Sequence, residues 1–136
     1  MRFAVDRLDH LVITCADVGT SANWFQRVLG MERESFGEQH RTALKFGGQK
    51  INLRPHSATQ AEWPSSVLAE PGTQDLCFVV TMAADDIVEH LRSCGVTIVQ
   101  GPVAKAGALG PFTSVYCRDP DGNLIEIATY GDRFTE

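Results

Sequence analysis

The chain has 136 residues, a formal net charge of −5, 43% hydrophobic and 21% charged residues. That length suits one domain with a core large enough to dispense with disulfides. The 12 basic residues are scattered, so nucleic acid is not the expected partner. No apolar run approaches the ~18 residues that a membrane span needs.

The opening MRFAVDRLDH lacks the apolar stretch of a secretory signal. Cys15, Cys77, Cys94 and Cys117 lie far apart with no C-x-x-C pair. They are expected to be reduced, mostly buried thiols of a cytoplasmic protein.

Residues 7–14 (RLDHLVIT) predict a strand rich in β-branched side chains. Asp17 or Thr20 can cap the helix that follows, on which Val18, Ala22, Phe25, Val28 and Leu29 fall at helical spacing. Gly30 stands where a left-handed C′ residue is wanted. Strands are then expected over 31–35, 41–46 and 50–54, with Gly47-Gly48 turning the chain between the last two. Residues 55–73 have little periodicity and predict a connecting segment.

A second cycle starts with a strand over 74–80 and a helix over 83–94, with Asp85 and Asp86 in its first turn and Gly95 after its end. Strands follow at 97–100, 113–118 and 123–129, and the Gly-rich stretch 101–110 is expected to form a mobile loop.

The two cycles overlay. An offset of 65 aligns His10 with Asp75 and Gly30 with Gly95, and an offset of 74 aligns Ile51-Asn52-Leu53 with Ile125-Glu126-Ile127. The difference places extra residues in the second half, within 101–110. The expected fold is therefore α+β: one domain over 1–136 made of two βαβββ modules, about 7–54 and 74–129. They form a curved mixed sheet with helices on its outer face.

Side chains alternate faces along a strand. Leu11, Ile13, Ile51, Leu53, Leu76, Phe78, Ile125 and Ile127 share the face suited to packing under the helices. The opposite face carries His10, Asn52, Asp75 and Glu126, at corresponding places in the two modules. A carboxylate inside Asn-Leu-Ile-Glu-Ile-Ala is costly to bury alone, so these four are the candidate site.

Three stretches, Asp9-His10-Leu11-Val12-Ile13, Trp24-Phe25-Gln26-Arg27-Val28-Leu29-Gly30 and Arg118-Asp119-Pro120-Asp121-Gly122-Asn123-Leu124-Ile125-Glu126, resemble the vicinal oxygen chelate superfamily. That superfamily includes glyoxalase I, fosfomycin- and bleomycin-resistance proteins and extradiol dioxygenases. Phe46-Gly47-Gly48-Gln49-Lys50-Ile51-Asn52-Leu53 narrows the resemblance to the glyoxalase domain-containing protein 5 group and related bacterial virulence-associated proteins.

The resemblance implies a homodimer with metal ligands at His10 and Glu126, while Asn52 stands where glyoxalase I has a carboxylate and Asp75 where many members have His. One nitrogen with oxygen ligands suits Ni, Mn, Zn or Mg, the oxygen-rich set favouring octahedral geometry. The implied function is that of a lactoylglutathione lyase-like lyase or isomerase acting on a small 2-hydroxycarbonyl or thiol-adduct substrate. Glu126 is its base and an enediolate its intermediate. Alternatives are a non-catalytic dimeric ligand-binding protein of the bleomycin-resistance type, an extradiol dioxygenase, against which Asp75 in place of a second His counts, and a thiol transferase.

The plainer readings differ residue by residue. Glu126 could pair with Arg54 or Arg118, Asp75 could cap a turn, and Asn52 could be a structural hydrogen-bonder. His40, His56 and His90 read as solvated, Trp24 and Phe25 as core or dimer contacts, and Trp63 as a lid aromatic or an unremarkable residue. The Asp119-Pro120-Asp121-Gly122 turn reads as structural.

Overall fold

The structure, a computed structural model, describes residues 1–131. It contains two compact units, Met1–Pro71 and Gly72–Glu136, and each holds one βαβββ module. The first comprises β1 (His10–Cys15), α1 (Val18–Leu29), β2 (Glu32–Phe36), β3 (Arg41–Phe46) and β4 (Gln49–Pro55). The second comprises β5 (Asp75–Val79), α2 (Ala84–Ser93), β6 (Gln100–Gly107), β7 (Gly110–Arg118) and β8 (Leu124–Thr129). Each module has its own mixed four-stranded sheet, in the orders β1-β4-β3-β2 and β5-β8-β7-β6.

The local chemistry explains the element ends. The Asp17 side chain accepts from Gly19 N at 3.2 Å and from Thr20 Oγ1 at 2.8 Å, occupying an otherwise orphaned donor of the first turn of α1. Gly30 closes that helix at φ 67, where a Cβ would be strained. The second helix starts at Ala83 without a side-chain cap and relies on Asp85 and Asp86 against its positive end.

Asp119 shapes the β7–β8 turn. Its Oδ1 accepts from Asp121 N and Asn123 N, both at 2.9 Å, and its Oδ2 from Asn123 Nδ2 at 2.7 Å. Asn123 Oδ1 in turn accepts from Gln74 N at 2.8 Å, joining the turn to the start of β5.

In the parallel β1–β4 pair Leu11 lies beside Ile51 and Ile13 beside Leu53; in β5–β8 Leu76 lies beside Ile125 and Phe78 beside Ile127. The helices cover these rows, and Ile13, Phe25, Leu44, Ile51 and Leu53 are buried in one unit, Ile87, Leu91, Val115, Ile125 and Ile127 in the other.

One element departs from the sequence reading. Residues 96–99 are not strand, and β6 instead runs through most of 101–110, paired with β7 around an Ala108-Leu109 tip. Gly, Pro and Ala give this stretch little strand propensity of its own. Its conformation comes from the ladder with β7, interrupted by a register shift between Gln100 and Val103. The extra residues of the second module do fall here, lengthening the hairpin: β6 and β7 have 8 and 9 residues against 5 and 6 in β2 and β3. No helix among the described residues is long and apolar enough to cross a membrane.

Leu44→Ala, at a fully buried position, is expected to destabilise the protein by about 2–5 kcal/mol, measured by urea unfolding.

Candidate functional site

In the first module His10 lies beside Lys50 and Val12 beside Asn52. His10 and Asn52 therefore share the sheet face turned away from α1. Asp9 Oδ2 sits 2.8 Å from His10 Nδ1, and this hydrogen bond is the main reason the Asp9 carboxyl is held below its ordinary range. The contact, between two exposed neighbours, engages Nδ1, and a carboxylate on one ring nitrogen is also common in metal-bound histidines. Asn52 is buried, and its Oδ1 meets no donor, the one such side-chain atom found among the described residues.

The second module repeats the arrangement. Asp75 lies beside Leu124 and Cys77 beside Glu126, and across the antiparallel pair Tyr116 faces Glu126. Both sequence offsets are thus reproduced in strand register, Asn52 corresponding to Glu126 and Val12 to Cys77.

Ser114 Oγ donates to Glu126 Oε2 at 2.5 Å, and the Cys77 thiol and Tyr116 phenol, on the neighbouring strands, lie close enough to feel the Glu126 carboxylate. A short bond to an ionised oxygen is of the charge-assisted kind. Burial, then the Glu126 charge, pushes the Cys77 thiol up to about 12. Desolvation, then the phenol's side-chain interaction with Glu126 and only after it the Glu126 charge, raises Tyr116. Glu126 forms part of the wall of a hollow of about 390 Å³ with Lys105, Gly107, Phe112, Tyr116 and Tyr130. Phe112 and Tyr130 lie 5.1 Å apart, and a Cβ at Gly107 would strike both.

The four sequence candidates thus fall into two pairs, His10 with Asn52 and Asp75 with Glu126, one on the open face of each module. Asp75 is exposed at the start of β5. Among the described residues no three His, Cys, Asp or Glu side chains form a group that could hold a metal. Neither arginine considered for Glu126 takes it: Arg54 is buried and donates to the Trp63 and Ala58 carbonyls, and Arg118 donates to Gly122 O. His56 pairs with Glu70 at 2.9 Å.

Ser114, Tyr116, Cys77 and Lys105 were not singled out by the sequence. Their alternation along β5, β6 and β7 held the signal, but it becomes legible only once register places them beside Glu126. Cys77 is exposed as a residue although its thiol is partly desolvated beside Glu126, whereas Cys15 and Cys117 are buried as expected.

The donor chemistry fits a divalent ion. Taken unit by unit, the His10 nitrogen with the buried Asn52 oxygen, and separately the Glu126 carboxylate, are nitrogen and hard oxygen donors of the kind Mn²⁺, Mg²⁺ or Ni²⁺ accepts.

Residues 7–127 match the model of the Glyoxalase/Bleomycin resistance protein/Dioxygenase superfamily, and the chain belongs to that family. It is 47% identical over 131 residues to the glyoxalase domain-containing protein RDO1 of Mycosarcoma maydis, covering 96% of this chain and 72% of that protein. It is 43% identical over 130 residues to virulence protein STM3117 of Salmonella typhimurium, covering 96% and 88%.

Among solved structures, the integron cassette protein VCH_CASS1 of V. cholerae superposes with a TM-score of 0.91 at 45% identity, covering 96% of this chain and 100% of that one. Fold likeness extends to a lactoylglutathione lyase of Agrobacterium tumefaciens at 20% identity and TM-score 0.70, covering 93% and 95%. It also reaches the fosfomycin resistance protein FosX of Listeria monocytogenes, solved with Mn(II), at 17% identity and TM-score 0.62, covering 91% and 90%.

The raised thiol yields a test. Cys77 is expected to alkylate slowly with iodoacetamide at pH 8, because only the thiolate reacts. Glu126→Gln removes a charge that raises its pKa and is expected to accelerate the modification, followed by mass spectrometry of the Cys77 peptide.

Proposed function

We propose that the chain, as a single domain over 1–136 acting as a cytoplasmic homodimer, is a metal-dependent glyoxalase-like lyase or isomerase. Its substrate would be a small 2-hydroxycarbonyl compound or thiol adduct. The observation that carries this reading is the Glu126 carboxylate, gathered by Ser114, Tyr116 and Cys77 beside a ligand-sized hollow.

Glu126 is the base. It takes a proton from the carbon next to the substrate carbonyl and returns it to the neighbouring carbon, an enediolate lying between the two steps. Ser114 and Tyr116 hold the carboxylate in place through the transfer. Phe112 and Tyr130 supply apolar walls that exclude water, and Lys105 supplies a cation to an anionic part of the substrate. Cys77 is not the nucleophile, since its thiol is held almost wholly protonated near neutral pH.

His10, Asn52, Asp75 and Glu126 are the proposed metal ligands. When bound, a divalent ion contributes positive charge to the substrate oxygens that become negative as the proton leaves. Membership in a family that includes glyoxalases, together with the Mn(II) found in FosX, supports a metal-dependent role.

Glu126→Gln is expected to lower turnover of a methylglyoxal–glutathione hemithioacetal by roughly a hundred- to ten-thousand-fold, read as thioester formation. His10→Ala and Glu126→Gln are each expected to weaken Mn²⁺ or Ni²⁺ binding by about tenfold or more, read by calorimetry. Unchanged metal binding in both variants would remove the ligand assignment.

Asn52→Leu separates the ligand reading from a structural one. An apolar side chain of similar size removes the orphaned buried acceptor, so the metal-free protein is expected to gain about 1–2 kcal/mol of stability while metal affinity falls. Loss of stability on that substitution would show that Asn52 serves the fold.

A further inference from the structure

A hollow of the first unit, about 600 Å³, does not lie on the open sheet face that carries His10 and Asn52. It opens at the end where the β2–β3 turn meets the connecting segment after β4. Leu53, Pro55 and Trp63 give it apolar walls, and His40, Arg41 and Thr42 bring polar groups to it. That volume, with apolar walls and convergent polar groups, is within the range of small-molecule sites.

Arg41 is the unusual member. Its guanidinium lies 3.9 Å from the centroid of the Trp63 ring, and its Nη2 donates to the Glu62 carbonyl at 3.1 Å. Trp63 is in turn tied by its own carbonyl to the buried Arg54, whose Nε donates to it at 3.0 Å. The Arg41 fork is thus stacked and oriented, yet the ion pairs among the described residues do not include it. An oriented guanidinium with unused N–H donors matches the bidentate geometry of a carboxylate.

The local charge narrows the ligand further. Glu62 also lines the hollow, and its carboxylate accepts from Thr59 N and Thr59 Oγ1, both at 3.0 Å. Among the lining residues Arg41 and Glu62 balance, and the buried Arg54 behind them, close enough to help the Thr59 hydrogen bonds lower the Glu62 carboxyl, adds one surplus positive charge. A monoanion balances that surplus, whereas a phosphate dianion exceeds it and meets the Glu62 charge. His40 adds a ring at the rim and is the one non-glycine residue with positive φ, 53, among those described.

We propose that this hollow is a binding site for a small monocarboxylate with a flat apolar body. The carboxylate would sit on the Arg41 fork and the body against Trp63, Leu53 and Pro55.

The test uses the full chain with benzoate as the probe, followed by NMR at the Trp63 indole N–H. Benzoate is expected to shift that resonance saturably. Benzyl alcohol, which keeps the ring and loses the charge, is expected to bind about tenfold or more weakly, as is benzoate to Arg41→Ala; this is the scale of a charge-assisted pair. Arg41→Lys is expected to recover only part of the loss, since an ammonium lacks the fork.

The wild-type comparison of benzoate with benzyl alcohol does not depend on any variant folding. Absence of a saturable shift, equal affinity for the two probes, or tighter binding of inorganic phosphate than of benzoate would overturn the proposal.

Discussion

Everything in each module depends on the two-residue alternation of one interior strand, β4 in the first sheet and β8 in the second. Each lies between a parallel and an antiparallel neighbour, so its backbone groups are engaged on both edges and its register cannot slip without cost. One row of its side chains, Ile51 and Leu53 or Ile125 and Ile127, is fixed beneath a helix by burial. The other row then has no choice of direction. Hydrophobic burial on one side of the strand thereby aims Asn52 and Glu126 from the other, although neither contributes to the core.

The same constraint makes the two modules comparable and shows where they have diverged. The corresponding sites hold an amide in one module and a carboxylate in the other. The amide is left with an unpartnered oxygen, while the carboxylate is met by a hydroxyl, a phenol and a thiol. Buried polar atoms cost free energy unless they are paired. The orphaned Asn52 oxygen therefore marks a place where the fold carries a burden that packing alone does not explain, and such burdens gather where a protein binds something.

Much of this was legible in the residues. The helix ends followed from Asp17, Gly30 and Gly95, and the buried row from β-branched and aliphatic side chains at period two. The paired positions of His10 with Asp75 and Asn52 with Glu126 followed from the internal repeat. What stayed hidden was imposed by partners distant in sequence. The 100–107 strand takes its form from β7, since Gly101, Pro102, Ala104, Ala106 and Gly107 declare no strand by themselves. Ser114 and Tyr116 acquire meaning only from the β7–β8 register, and Arg41 only from the ring of Trp63 that the connecting segment folds over it.

The β6–β7 hairpin has an evolutionary consequence. Residues added in equal number to both arms beyond the existing ladder leave every inner pairing where it was, so an arm can grow or shrink without any core side chain changing sides. The rim of the second hollow, from Lys105 to Phe112, can therefore vary in reach and composition as an appendage, decoupled from foldability. A lineage could retune what it accepts by editing a fingertip while the palm stays unchanged.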